Sequence, residues 1–184
     1  MLYLIGGAPR SGKSTAAHAF MEKSGVPYFS LDYLMMGVAK GFPWLGVDPN
    51  DDELAIADLL WPIVEPMAVA MVENGCSYLI EGVQLCPKHM LALLQRFEDQ
   101  VRCCFVGFAE MDTIEKFREI RRFGGGPDDW LSDHDDTELI REINRQKALS
   151  IRLRAECAKY GLAYIECARE RQETVRQVVD YLLS

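Results

Sequence analysis

Cationic side chains are scarce in this sequence. Twenty Lys and Arg stand against 28 Asp and Glu over 184 residues, a formal net charge of −8. Neutralising a phosphate backbone needs a surplus of Lys and Arg, which argues against nucleic acid as a partner. No apolar stretch approaches the roughly 20 residues of a membrane span, so no membrane partner is expected. The first apolar run is too short for a secretory signal and has no basic flank, so little is expected to have been cut away. Six cysteines are present, at positions 76, 86, 103, 104, 157 and 167, without one C-x-x-C pair. That spacing excludes the usual zinc frameworks and leaves reduced thiols in a cytoplasmic core. His18, His89 and His134 are isolated, and no Ser/His/Asp or Cys/His pairing can be argued from them. No internal repeat or low-complexity linker breaks the chain, whose length fits a single domain spanning 1–184.

What the sequence does contain is concentrated near its start. Residues 6–15 read GGAPRSGKST and follow the apolar run LYLI. Gly7, Gly12, Lys13 and Ser14 fit the spacing G-x-x-x-x-G-K-[ST]. Glycines let the backbone curl so that successive N–H groups point into one concavity, and a helix opening near Lys13 adds the positive end of its dipole. In such a loop Gly7, Ala8, Pro9, Arg10, Ser11, Gly12, Lys13, Ser14 and Thr15 surround the phosphates of a nucleoside triphosphate. The lysine reaches the β/γ-phosphates, and the Ser14 hydroxyl ligates Mg²⁺. ATP and Mg²⁺ are therefore the expected cofactors.

Strand-like and helical patterns alternate along the rest of the chain, which predicts an α/β protein with a parallel sheet covered on both faces. Strands are expected at residues 2–5, 27–30, 77–80, 101–108 and 162–167. Helices are expected at 14–23, over most of 31–74 apart from a turn region at 41–49, at 111–123, at 136–160 with acidic capping candidates, and at 173–183. Ligands in open α/β sheets bind beyond the carboxyl ends of the strands. Two acids fall there. Asp32, after the second strand, suits a base for a substrate hydroxyl or a support for Mg²⁺, or else a helix cap. Glu81, after the third, suits a group that orients Mg²⁺ or binds acceptor.

The layout and the phosphate loop resemble the nucleoside-monophosphate-kinase-like group of P-loop kinases. The resemblance implies a three-layer P-loop NTPase fold with a five-stranded parallel sheet, an acceptor-binding insertion at about 31–76 and a helical lid at about 111–135. SLDYL resembles the element bearing the aspartate of small-molecule kinases. IEGVQLCP resembles the Asp-Gly element of adenylate-kinase relatives with Glu for Asp, and also a stretch of 2-phosphoglycerate-kinase-like proteins. The run KFREIRRFGGGPDDW resembles the arginine-bearing lid. Arg118 and Arg122 lie four apart on one helical face with Arg121 beside them, suited to stabilising a transferring phosphoryl group. The glycines 124–126 would act as a hinge. Arg141 and Arg145 on the next helix are candidates to complete the clamp. The loop after the fifth strand, with Arg169, sits where related kinases touch adenine.

From Leu31 to Tyr78 only Lys40 is basic, whereas eight residues are acidic. Acceptor phosphates normally require arginines. Met35, Met36, Phe42, Trp44 and Trp61 suit instead a small organic alcohol or sugar-like acceptor, and an amine-bearing acceptor would suit the acids. The run of acids at 51–53 reads as charge at a helix start. The leading expectation is an ATP-dependent kinase acting on a small-molecule hydroxyl, with Lys13, Asp32, Arg118, Arg121 and Arg122 as its machinery. Two alternatives stand beside it. One is a nucleoside-monophosphate or phosphometabolite kinase, its acceptor phosphate held by Lys40, Lys88 and lid arginines. The other is a nucleotide-gated interaction protein without phosphotransfer. A homo-oligomer is possible in either case.

Overall fold

A computed structural model describes residues 1–123, 134–167 and 171–184. Among these, five strands form one parallel sheet: β1 (Leu2–Gly7), β2 (Tyr28–Ser30), β3 (Tyr78–Glu81), β4 (Val101–Gly107) and β5 (Ala163–Glu166). Their spatial order is β2-β3-β1-β4-β5. The strand carrying the phosphate loop is thus central, with Ile5 opposite both Glu81 of β3 and Cys104 of β4. Parallel neighbours require crossovers, and helices supply them: α1 (Lys13–Ser24), α2 (Leu31–Gly41), α3 (Glu53–Glu73), α4 (Pro87–Arg96), α5 (Thr113–Phe123), α6 (Asp136–Tyr160) and α7 (Arg171–Leu183).

Side chains alternate across each strand, so one run of apolar residues feeds two cores. Leu2, Leu4, Ile80, Cys103 and Phe105 pack with residues of α2, α3, α4 and α6. Ile5, Leu79, Cys104 and Val106 face the other way, onto α1 and α7. The adjacent cysteines 103 and 104 therefore belong to opposite faces. All six cysteines are free, and four of them are buried.

Local chemistry sets the element boundaries. Asp135 caps α6 in a reciprocal box with Glu138, and Gly161 ends that helix in the left-handed region at φ 68°. Asp52 caps α3 by accepting from Leu54 and Ala55 N–H. The sequence reading misses α4, although Pro87 occupies its first turn and Met90 and Leu93 bury one face. Along the α3–α4 seam, Trp61 stacks on His89 at 4.6 Å and 9°, and Asp58 binds both His89 and Lys88.

One expectation needs correction. Helix α3 has 21 residues and a mean hydropathy of 1.6 over its most apolar window, long and apolar enough by length and composition to cross a membrane. Asp58, Pro62, Glu65 and Pro66 interrupt its apolar run in the sequence and conceal this. In the fold Leu54, Ile56, Ala57, Leu60, Val64, Ala68 and Val72 of α3 are buried.

Candidate active site

The phosphate loop is shaped by its glycines. At Gly7 the backbone has φ 137°, and an added Cβ would lie 2.0 Å from the Val106 carbonyl oxygen, so no side chain fits. At Gly12, φ is 92° and a Cβ would meet nothing within 4 Å, which marks open space over the loop. Arg10 is the one described non-glycine residue with positive φ, at 59°. Helix α1 begins directly afterwards, so its unpaired N–H groups border that open space. The buried Ser11 hydroxyl has no hydrogen-bond partner. The cradle fits a phosphate chain.

Lys13 is buried, and its ammonium donates to the Ala8 carbonyl at 2.7 Å. Burial pulls its pKa below the ordinary lysine value, against the opposing pull of Glu81 and Asp32. Ser14 donates to the Glu81 carboxylate at 3.1 Å. Glu81 itself is only 2% exposed. This places one hydroxyl and one carboxylate side by side at the mouth of the loop. Mg²⁺ prefers such hard oxygens and keeps several waters and phosphate oxygens of its own, so the pair fits it. Among the described residues no group of three or more His, Cys, Asp or Glu is placed to hold a metal ion by itself.

Asp32 projects from the first turn of α2. Ser30, not Asp32, caps that helix, by accepting from the Asp32 N–H at 3.4 Å. The Asp32 carboxylate instead accepts from the Gln84 amide at 2.9 Å. Gln84 is buried in the turn after β3, so it links the end of β3, which carries Glu81, to the first turn of α2, which carries Asp32. Lys13, Ser14, Asp32 and Glu81 line one cleft of about 800 Å³. Arg10, Met35, Met36, Asp51, Glu53, Ile56, Glu142 and Arg145 complete much of its wall. Trp44, Phe42 and Trp61 do not line it.

The lid arginines are placed differently from the loop. Arg121 donates to the His134 carbonyl and to Asp136, each at 2.8 Å, which ties α5 to the start of α6. Arg118 and Arg122 are exposed on α5, and none of the three lines the cleft. Arg141 does not line it either. The cation that α5 does bring to the loop is Lys116, buried, donating to the Arg10 carbonyl at 2.9 Å and to Glu119 at 3.0 Å. The glycines 124–126 and Arg169 lie outside the described residues. Beside Arg169 in sequence, Arg171 donates to the Thr15 hydroxyl, and Cys167 donates to the Ser11 carbonyl at 3.3 Å.

Sequence reading singled out Lys13, Ser14, Asp32 and Glu81 but not Gln84, Lys116 or Glu53. It took the acids at 51–53 as helix-start charge. That holds for Asp52, the cap of α3, and for Glu53, the acid of its first turn, although Asp51 and Glu53 also line the cleft. Arg145 grips Glu53 with both terminal nitrogens at 2.6 Å and holds Glu142 through Nε at 2.9 Å and Nη2 at 2.7 Å.

The central phosphate loop, the parallel sheet and the acids at the carboxyl ends of β2 and β3 define a P-loop fold of the nucleoside-monophosphate-kinase-like kind. Solved structures share it. A shikimate kinase from Bacteroides thetaiotaomicron superposes with a TM-score of 0.62 at 16% identity, over 100% of this chain and 99% of that one. A gluconokinase from Sinorhizobium meliloti gives 0.59 at 16% identity, over 98% of this chain and 90% of that one. A shikimate kinase from Aquifex aeolicus gives 0.52 at 14% identity, over 100% and 96%. No protein-family profile and no curated protein sequence matches the chain.

Proposed function

We propose that this chain is an ATP- and Mg²⁺-dependent kinase that phosphorylates a hydroxyl of a small molecule. One observation carries the reading: Asp32 shares a single cleft with Lys13, Ser14 and Glu81. A phosphate-binding switch needs the loop, but it does not need a carboxylate held ready beside it. The names of the solved neighbours, shikimate kinase and gluconokinase, point to the same class of reaction.

In this reading the loop amides and Lys13 hold the β- and γ-phosphates. Lys13 then exchanges its bond to the Ala8 carbonyl for phosphate oxygens, which restores a partner to a buried charge. Ser14 and Glu81 would hold Mg²⁺, which would supply positive charge against that of the transferring group. Asp32 accepts the proton of the acceptor hydroxyl while the Gln84 amide fixes the carboxylate. The hydroxyl oxygen bonds to the γ-phosphorus, the bond from that phosphorus to the bridging oxygen breaks, and ADP leaves.

A coupled ADP-release assay over alcohols, sugars, shikimate, gluconate and nucleoside monophosphates tests this. Phosphotransfer to an alcohol or sugar-like compound, lost in Asp32→Asn, is the expected result. ATP binding without turnover on any acceptor would overturn the reading in favour of a nucleotide-gated interaction protein.

A further inference from the structure

The acceptor side of the cleft carries an arginine whose hydrogen-bonding capacity is nearly filled. A guanidinium has five N–H donors. Arg145 uses four of them: two on Glu53 and two on Glu142. The three charges sum to −1. Both carboxylates are well shielded, with side chains 10% and 16% exposed, while Arg145 is about half exposed. The hydrogen bonds that Arg145 donates to Glu142 and then to Glu53 raise its pKa further. Burial opposes the Glu142 charge, but bonds from Arg145 and Gln146 hold that carboxyl below its usual range. Arg145 and Glu142 therefore stay ionised at neutral pH.

One N–H of Arg145 stays open, so an anionic acceptor group could take a single bond there; a two-bonded grip would require pushing a carboxylate aside and leaving it shielded and unpaired, which is costly. The other cations of the cleft, Arg10 and Lys13, belong to the phosphate loop. The same cleft is lined by Asp32, Asp51, Glu53, Glu81 and Glu142, of which Glu81 is joined to Ser14. What remains for the acceptor is an excess of negative charge beside the apolar walls of Met35, Met36 and Ile56. A protonated amine matches that environment; a carboxylate or phosphate does not.

We infer that the acceptor is a hydroxylated amine, its ammonium group recognised by Glu53 and Glu142 around Arg145 and its hydroxyl presented to Asp32. The inference rests on the kinase reading for the role of the hydroxyl, but charge selectivity in the cleft is measurable without turnover. Matched trios on one skeleton provide the probe: glucosamine, glucose and glucuronate, and 3-aminopropanol, 1,3-propanediol and 3-hydroxypropanoate. Binding is read by calorimetry and by melting temperature with Mg²⁺ and a non-hydrolysable ATP analogue present, and kcat/KM by ADP release.

The ammonium member should lead its trio by about tenfold or more, as expected of a charge-assisted hydrogen bond. Glu53→Gln should remove that lead and improve binding of the anionic member, because Arg145 gains free donors. Glu142→Gln provides the same readout if the first variant does not fold. A lead for an anionic member, equal binding of ammonium and neutral members, no binding of any ammonium member, or an unchanged preference in both variants overturns the inference. Ammonium-selective binding without phosphotransfer would instead overturn the kinase reading and leave the selectivity standing.

Discussion

Asp32 and Lys13 have separable tasks, and substitution should separate them. Asp32→Asn keeps the shape and the contact with Gln84 but removes the base. It should lower kcat by about 10²–10⁴ while ATP affinity is largely kept. Lys13→Ala removes the buried ammonium, so it should weaken ATP binding and abolish turnover. Isothermal titration with ATP alongside steady-state kinetics distinguishes the two patterns. These residues were legible because the ends of parallel strands gather at one edge, so the sequence position of Asp32 and Glu81 indicates their place in space. Gln84, Lys116 and Glu53 were not legible for a complementary reason. Their partners lie 52, 106 and 92 residues away, at distances no local pattern encodes.

Helix α5 illustrates the same divide among elements. Its basic face was plain from the spacing of Arg118, Arg121 and Arg122. Which cation meets the loop depends on how the helix lies, and that cation is Lys116. Its ammonium lies 4.8 Å from the centre of the Phe108 ring and bonds the carbonyl of Arg10, the residue held at positive φ. Lys116→Met keeps the stem and deletes the donors. It should cost about 1–3 kcal/mol in urea unfolding and weaken ATP binding without a change in far-UV circular dichroism. Wild-type ATP affinity in this variant would show that α5 does not support the loop. The boundaries of α6, by contrast, were readable residue by residue because capping is local chemistry. Helix α4 was overlooked although its signals are equally local.

The molecule as a whole should respond to alkali through its buried thiols. Burial pushes Cys86, Cys103 and Cys157 from about 9 up to about 12, and Cys104 higher still. A thiol whose folded pKa is raised keeps its proton when the unfolded chain has lost it. Its contribution is intact below pH 9 and is lost as pH rises towards 12, by up to about 1.4 kcal/mol per pH unit for each thiol. Lys13 acts with opposite sign, because its lowered pKa means the unfolded chain binds the extra proton until about pH 10.5. Cys167, pushed up to about 11, and the raised Tyr164 and Tyr181 act with the same sign as the four buried thiols, and together they outweigh one lysine. Unfolding free energy should fall between pH 9 and pH 11, and Cys104→Ala should flatten the slope. A rise over that interval would contradict the burial of these groups.

The flat stack of Trp61 on His89 makes the joint between α3 and α4 visible to light. An imidazolium in van der Waals contact with an excited indole accepts an electron and extinguishes its emission. Burial, assisted by Lys88 and opposed by Asp58, keeps the His89 pKa below the ordinary histidine value. Fluorescence from Trp61 should therefore dim only on acidification beyond that value, and the acid step should vanish in His89→Gln. The joint carries a built-in lamp whose brightness reports one proton.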